Sequence, residues 1–143
     1  MNRINLITLG VRDLNKSLTF YKDGLGFKTT VSEDNPGIVF FQNAGTKLAL
    51  YPLNELARDI NENNPPTGNG FSGITLAYNT KSKGEVDQVI NQAIDAGGTL
   101  LKSPALVFWG GYSGYFADPD GYIWEVAYGE NWEFDNNDML IIN

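Results

Sequence analysis

Residues 115–128 read YFADPDGYIWEVAY. In Asp118-Pro119-Asp120-Gly121 a proline at the second place and a glycine at the fourth fit a type I turn. The turn joins a strand over 113–117 to an apolar, aromatic strand over 122–128. One carboxylate, Glu125, interrupts the second strand. Side chains alternate across a strand, so Ile123 and Ala127 share the face of Glu125, while Trp124 and Val126 point the other way. Phe116 and Trp124 are expected in the core. Turn geometry accounts for the two aspartates without invoking a metal.

Working outward from this hairpin, the preceding stretch LVFWGGYSG interleaves Gly110, Gly111 and Gly114 with Phe108, Trp109 and Tyr112. Either it is a plain hairpin connection with its rings in the core, or it is an adaptable lip whose rings, Trp109 and Tyr112 above all, stack on a planar ligand. Further back lie a strand over 99–103 and a Gly97-Gly98 stop. Val86, Val89, Ile90, Ala93 and Ile94 form the stripe of an amphipathic helix, opened by the capping box Ser82-Lys83-Gly84-Glu85. FSGITLAYN (71–79) reads as a strand with Ile74, Leu76 and Tyr78 on one face and Thr75 on the other.

The first half of the chain repeats this order. A strand over 4–11 sends Ile7, Leu9 and Val11 one way and Leu6, Thr8 and Gly10 the other. Asp13 caps a helix with Leu14, Leu18 and Tyr21 on one face, flanked by Ser17 and Phe20. Strands are predicted over 27–32, 37–42 and 46–52. The pattern is therefore βαβββ over 3–52, a linker over 53–70, βαβββ over 71–129 and a tail over 130–143. The linker carries a short helical pattern in Leu53, Leu56, Ala57 and Ile60, and the tail is expected to pack Trp132, Phe134 and Leu140 back on the body. Each module has a helix on one sheet face, so the other face must be buried or line a cavity. The expected fold is a single α+β domain, two curved four-stranded mixed sheets around one trough. Thr8, Ala49, Tyr51, Thr75 and Glu125 would face the trough, with Trp109 and Tyr112 at its lip.

The chain has 143 residues, 42% hydrophobic and 13% aromatic, which suits one domain with a substantial core. Seventeen acidic against ten basic residues give a net charge of −7 with no basic patch, which argues against nucleic acid and anionic membrane as partners. There is no histidine and no cysteine, so a Ser-His-acid triad, a thiolate nucleophile and thiolate or imidazole metal sites are excluded. Walker and dinucleotide-binding motifs are absent as well. MNRINLITLGV lacks the apolar core of a signal peptide and no run reaches membrane-spanning length, so a cytoplasmic protein is expected.

The paired modules, the segment LGVRDLNKSLTFYKDGLGF (9–27) and the segment GYFADPDGYIWEV (114–126) resemble the vicinal oxygen chelate superfamily. That superfamily holds glyoxalases, bleomycin-resistance-type binding proteins and extradiol dioxygenases. The resemblance covers nearly the whole chain and implies the fold rather than one activity. It also implies metal-ligand positions at Leu6, Gly73, Ala49 or Tyr51, and Glu125. Only Glu125 among these is an ordinary strong ligand, so a weak divalent ion through Glu125 is the most this set would hold, and no cofactor is expected.

Three functional readings follow. The first is metal-independent binding of a small aromatic or amphipathic molecule, in the manner of the antibiotic-binding branch, by Thr8, Tyr51, Thr75, Trp109, Tyr112 and Glu125. The second is a lyase, isomerase or dioxygenase-type enzyme with Glu125 as catalytic base or weak metal ligand; a carboxylate among aromatic side chains suits a general base. The third is an interaction protein whose trough is filled by its own side chains. A homodimer is what the resemblance implies.

Overall fold

The computed structural model describes residues 2, 4–32, 36–66 and 68–142. The chain divides into two compact units, 1–72 and 73–143. Both are α+β.

In the first unit β1 (Leu6–Val11) runs parallel to β3 (Lys47–Pro52), and the short β2 (Val39–Phe40) pairs antiparallel on the far side of β3. The register sets Leu9 against Leu50 and Val39 against Leu50, so Leu9, Leu50 and Val39 share one face, and all three are buried. Helix α1 (Leu14–Thr19) is capped by Asp13, whose carboxylate accepts from the Lys16 amide at 2.9 Å. It runs into a π-helical turn, Phe20–Gly24. The buried stripe is Ser17, Phe20 and Tyr21, and the expected Leu14 and Leu18 are only half-buried. Tyr21 is the centre of an aromatic cluster, with the Phe20, Phe27 and Phe41 rings 5.1, 5.5 and 5.8 Å away.

Two strand expectations fail here. Residues 27–32 form no strand, and 37–42 contracts to Val39–Phe40, so this sheet has three strands rather than four. The Gln42 amide still bonds the Lys28 carbonyl at 2.7 Å. Beyond it the Thr29 hydroxyl takes over, donating to the Phe40 carbonyl and accepting from the Val31 amide. A side-chain hydroxyl thus substitutes for the backbone ladder. Residues 33–35, next along this stretch, lie outside the described residues.

The second unit holds a four-stranded sheet in the order β4-β7-β6-β5: β4 (Leu76–Thr80), β5 (Thr99–Leu106), β6 (Tyr112–Ala117) and β7 (Ile123–Tyr128). β4 begins at Leu76, so the expected strand over 71–79 loses its first residues, Thr75 included. Gly73, with φ of 78°, breaks the extended run ahead of it. Helix α3 (Lys83–Asp95) buries Val86, Ile90 and Ala93. The Ser82 hydroxyl accepts from the Glu85 amide, and the Glu85 carboxylate reaches back to the Lys81 amide at 2.7 Å. The helix ends with the Gly98 amide on the Ala93 carbonyl and the Gly97 amide on that of Ile94, a Schellman closure that needs the positive φ of Gly97.

The turn at 118–121 closes through the Gly121 amide on the Asp118 carbonyl. The buried Asp118 carboxylate accepts from the amides of Asp120 and Tyr122 at 2.9 and 2.8 Å. In the tail, Phe134 and Leu140 bridge one another, and Lys81 both pairs with Asp138 and stands 5.7 Å over the Phe134 ring.

β5 is longer than expected and irregular. Leu100 pairs with Phe116 but Lys102 with Tyr115, so two residues of β5 oppose one of β6, and a second shift precedes Ala105. Gly114 lets the bulged strand close: a Cβ there would lie 3.0 Å from the Lys102 carbonyl oxygen and from Pro104.

Two stability predictions follow from this packing. Tyr21→Ala removes a fully buried ring from the aromatic cluster and should cost about 3–5 kcal/mol. Gly114→Val forces a side chain against backbone that has no room to retreat, and should cost about 1–3 kcal/mol. Urea unfolding midpoints read both, and an unchanged midpoint for either variant would contradict the packing described.

Candidate functional site

β7 presents Glu125 beside Tyr115 of β6 on one side and Ala77 of β4 on the other. All three share a face, because residues directly opposite in a ladder point the same way. The next rungs of that face are Ser113 with Ala127 and Ala117 with Ile123. Small side chains therefore surround a half-buried carboxylate and a half-buried phenol. The opposite face carries Gly114, Phe116, Trp124 and Val126. Phe116 and Trp124 stack there 6.2 Å apart at 3°, both buried, as their sequence positions predict.

Glu125 has a specific partner that sequence reasoning did not single out. Tyr115 lies directly across the ladder from Glu125, whose carboxylate acts on its phenol. Burial is the first cause that holds the Tyr115 phenol above its ordinary range of about 10, and the hydrogen bond and negative charge of Glu125 add to it. Tyr115 is therefore a proton donor at neutral pH. The signal was present in principle: a tight turn at 118–121 sets the strand register and pairs Tyr115 with Glu125.

Tyr112 lies elsewhere than expected. It pairs with Tyr128 on the face opposite Glu125, and its hydroxyl donates to Asp87 of α3 at 2.9 Å. Alternation forces this, since Tyr112 is an odd number of residues from Tyr115 in a continuous strand. The Asp87 carboxylate bond also raises the Tyr112 phenol, ahead of burial and charge. Tyr112 is thus a tie between sheet and helix rather than a companion of Glu125.

Trp109 is almost half exposed and already has a stacking partner, Trp132 of the tail, at 5.7 Å and 17°. Each indole sits on a glycine. A Cβ at Gly111 would collide with the Trp109 ring, and one at Gly129 would lie 2.6 Å from that of Trp132. These glycines flank the Tyr112–Tyr128 rung, and continued alternation puts their bare side on the Glu125 face. The indole pair therefore closes one end of that face. Phe108, at the hairpin tip, is fully exposed. Thr75 is exposed and lies two residues before Ala77.

Thr8 and Tyr51 belong to the first unit. Thr8 pairs with Ala49 and Tyr51 with Gly10, so all four share a face away from the Leu9 and Leu50 core. The linker is not a passive connection here. Its helix α2 (Leu53–Ile60) lies against this face: a Cβ at Gly10 would meet Leu53 at 2.7 Å and Leu56 at 3.2 Å. Ala57 is buried, whereas Ile60, at the end of the predicted stripe, is exposed. The register also settles which residue answers to Glu125. With Leu6 and Gly73 equivalent, Gly10 corresponds to Ala77, and their parallel partners are Tyr51 and Glu125.

A metal does not fit these residues. Leu6, Gly73 and Ala49 bring no side-chain donor, and the Tyr51 phenol is a poor ligand while protonated. Among the described residues no three of Asp, Glu, His or Cys gather where they could hold an ion. No helix among the described residues is long and apolar enough to cross a membrane.

Comparison with known proteins agrees with this architecture. A glyoxalase-related enzyme from Fulvimarina pelagi is 33% identical, with a TM-score of 0.88 and 99% of each chain covered. A glyoxalase/bleomycin resistance protein/dioxygenase from Nocardioides is 27% identical at a TM-score of 0.69, over 94% of this chain and 91% of its own. The uncharacterized protein YraH of Bacillus subtilis (strain 168) is 27% identical over 122 residues, covering 84% of this chain and 93% of its own. The family model described as Glyoxalase/Bleomycin resistance protein/Dioxygenase superfamily matches residues 3–126, and the chain belongs to that superfamily.

Proposed function

We propose that the protein binds a small aromatic or amphipathic molecule without a metal, and that Glu125 is the group that orients it. The observation that carries this reading is the Tyr115–Glu125 pair, half-buried among small residues on a sheet face that α3 does not cover. The Glu125 carboxylate is an acceptor-only group, which suits a cationic or hydrogen-bond-donating ligand. The indoles of Trp109 and Trp132 add an aromatic wall at one end. Thr75 lies just before β4. Thr8 and Tyr51 are the first-unit counterparts, and α2 crowds the face they occupy. In this reading the protein is cytoplasmic, and a homodimer as the family resemblance implies.

The competing reading is a lyase- or isomerase-type reaction with Glu125 as base. The Fulvimarina pelagi relative, described as a glyoxalase-related enzyme, speaks for it. Both readings need Glu125, but only the enzyme turns its ligand over.

A ligand-observed NMR screen of small aromatic amines separates them. Binders should be recovered unchanged after long incubation, and Glu125→Gln should weaken them about tenfold or more, the value of a charge-assisted hydrogen bond. Tyr112→Phe should leave affinity unchanged, since Tyr112 bonds Asp87 on the other face. Equal affinity in wild type and Glu125→Gln would sink the proposal, and chemical conversion of a binder would establish the enzyme.

The Tyr115 phenol gives a pH prediction with a definite sign. Its folded pKa is raised above the unfolded value, so its contribution to stability is complete below about pH 10 and is lost as pH rises through the folded value. Ultraviolet titration should show late-ionising phenols at Tyr112 and Tyr115, of which one disappears in Tyr115→Phe and moves back toward about 10 in Glu125→Gln. A Tyr115 titration identical in wild type and Glu125→Gln would show that the carboxylate is not its partner.

A further inference from the structure

The Tyr115–Glu125 pair is the middle of a longer row. Lys102 of β5 is the cross-strand partner of Tyr115, and its ammonium stands 5.9 Å from the centre of the Tyr115 ring. Ala77 of β4 completes the row beyond Glu125. Four strands thus contribute one residue each to a single rung: a cation, an aromatic ring, an anion and a small side chain.

The place of Lys102 depends on the bulge in β5. Thr99 pairs with Ala117 and Leu100 with Phe116. Had that register continued, Leu101 would stand beside Tyr115, and Lys102 would sit opposite Gly114 on the face that carries Phe116 and Val126. The inserted residue turns Lys102 to the face of Glu125 instead. Bulges that re-aim a side chain are concentrated beside functional sites. Gly114 is what permits this one, because only a residue without Cβ clears the Lys102 carbonyl and Pro104.

Resting on the reading of this face as the ligand site, we infer that it selects a zwitterionic aromatic molecule, with its anionic group on Lys102, its cationic group on Glu125 and its ring along Tyr115. Tyr115 holds the two protein charges apart. Two strand spacings separate the backbones of Lys102 and Glu125, on the order of 10 Å. That span suits a ring with opposite charges at its two ends better than a ligand whose charges are adjacent. A protein of net charge −7 repels anions at long range, so a fixed ammonium in this row is the means by which an acidic chain accepts a carboxylate, sulfonate or phosphate end.

Three matched probes test this: benzylamine, benzoate and para-aminomethylbenzoate, titrated by calorimetry into the whole protein at low ionic strength. The zwitterion should bind about tenfold tighter than either singly charged probe. Lys102→Gln should erase its advantage over benzylamine. Glu125→Gln should erase its advantage over benzoate, and Lys102→Arg should retain the wild-type order. If benzylamine binds in a Glu125-dependent way and the zwitterion gains nothing, the role of Lys102 is overturned and the Glu125 reading stands. If none of the three probes binds, both fall.

Discussion

A carboxylate placed in an apolar strand needs a polar neighbour, and the β6–β7 register sets a phenol beside it. Tyr115 lies directly across from Glu125 because the turn at 118–121 fixes where the two strands meet. The buried Asp118 carboxylate holds that turn through the amides of Asp120 and Tyr122. A slip of one residue would carry Glu125 to the face of Phe116 and Val126, where an unpaired charge is costly. The same register stacks Phe116 on Trp124 and directs Tyr112 to Asp87. Core, helix attachment and polar pair thus depend on one hairpin alignment.

The two modules share this plan but have diverged in how they use it. In the first, Gly10 and Tyr51 occupy the rung equivalent to Ala77 and Glu125, and α2 lays Leu53 and Leu56 on the bare backbone of Gly10. In the second, the equivalent rung keeps its carboxylate, and Trp109 and Trp132 stack at one end of the face. One copy of the repeat has become a packing surface, and the other keeps a half-buried carboxylate.

Much of this was legible in the residues. Alternation placed Trp124, Val126 and Glu125 on their faces, the capping box at Ser82 and the glycine pair at 97–98 bounded α3, and the repeat predicted two modules. What escaped were features decided by a shift of one residue. The helix entered at Asp13 ends in a π-helical turn at Phe20–Gly24, the Thr29 hydroxyl displaced a ladder over 27–32, and the bulge in β5 turned Lys102 over. Each is a local insertion or substitution in a hydrogen-bond pattern, and hydrophobic periodicity carries no record of it. Tyr112 was misplaced for a different reason: its neighbourhood of glycines looked like a loop, whereas β6 already begins there.

The stacked indoles and the two glycines beneath them form a single unit of inheritance. A side chain at either glycine would dislodge its tryptophan, while loss of Trp132 would free position 129 from the requirement for glycine. Relatives that have changed the tail should therefore have changed the hairpin as well, trading Gly111 and Trp109 together. In an alignment these four columns, far apart in the chain, should mutate as one, and they would mark which descendants close this end of the sheet and which leave it open.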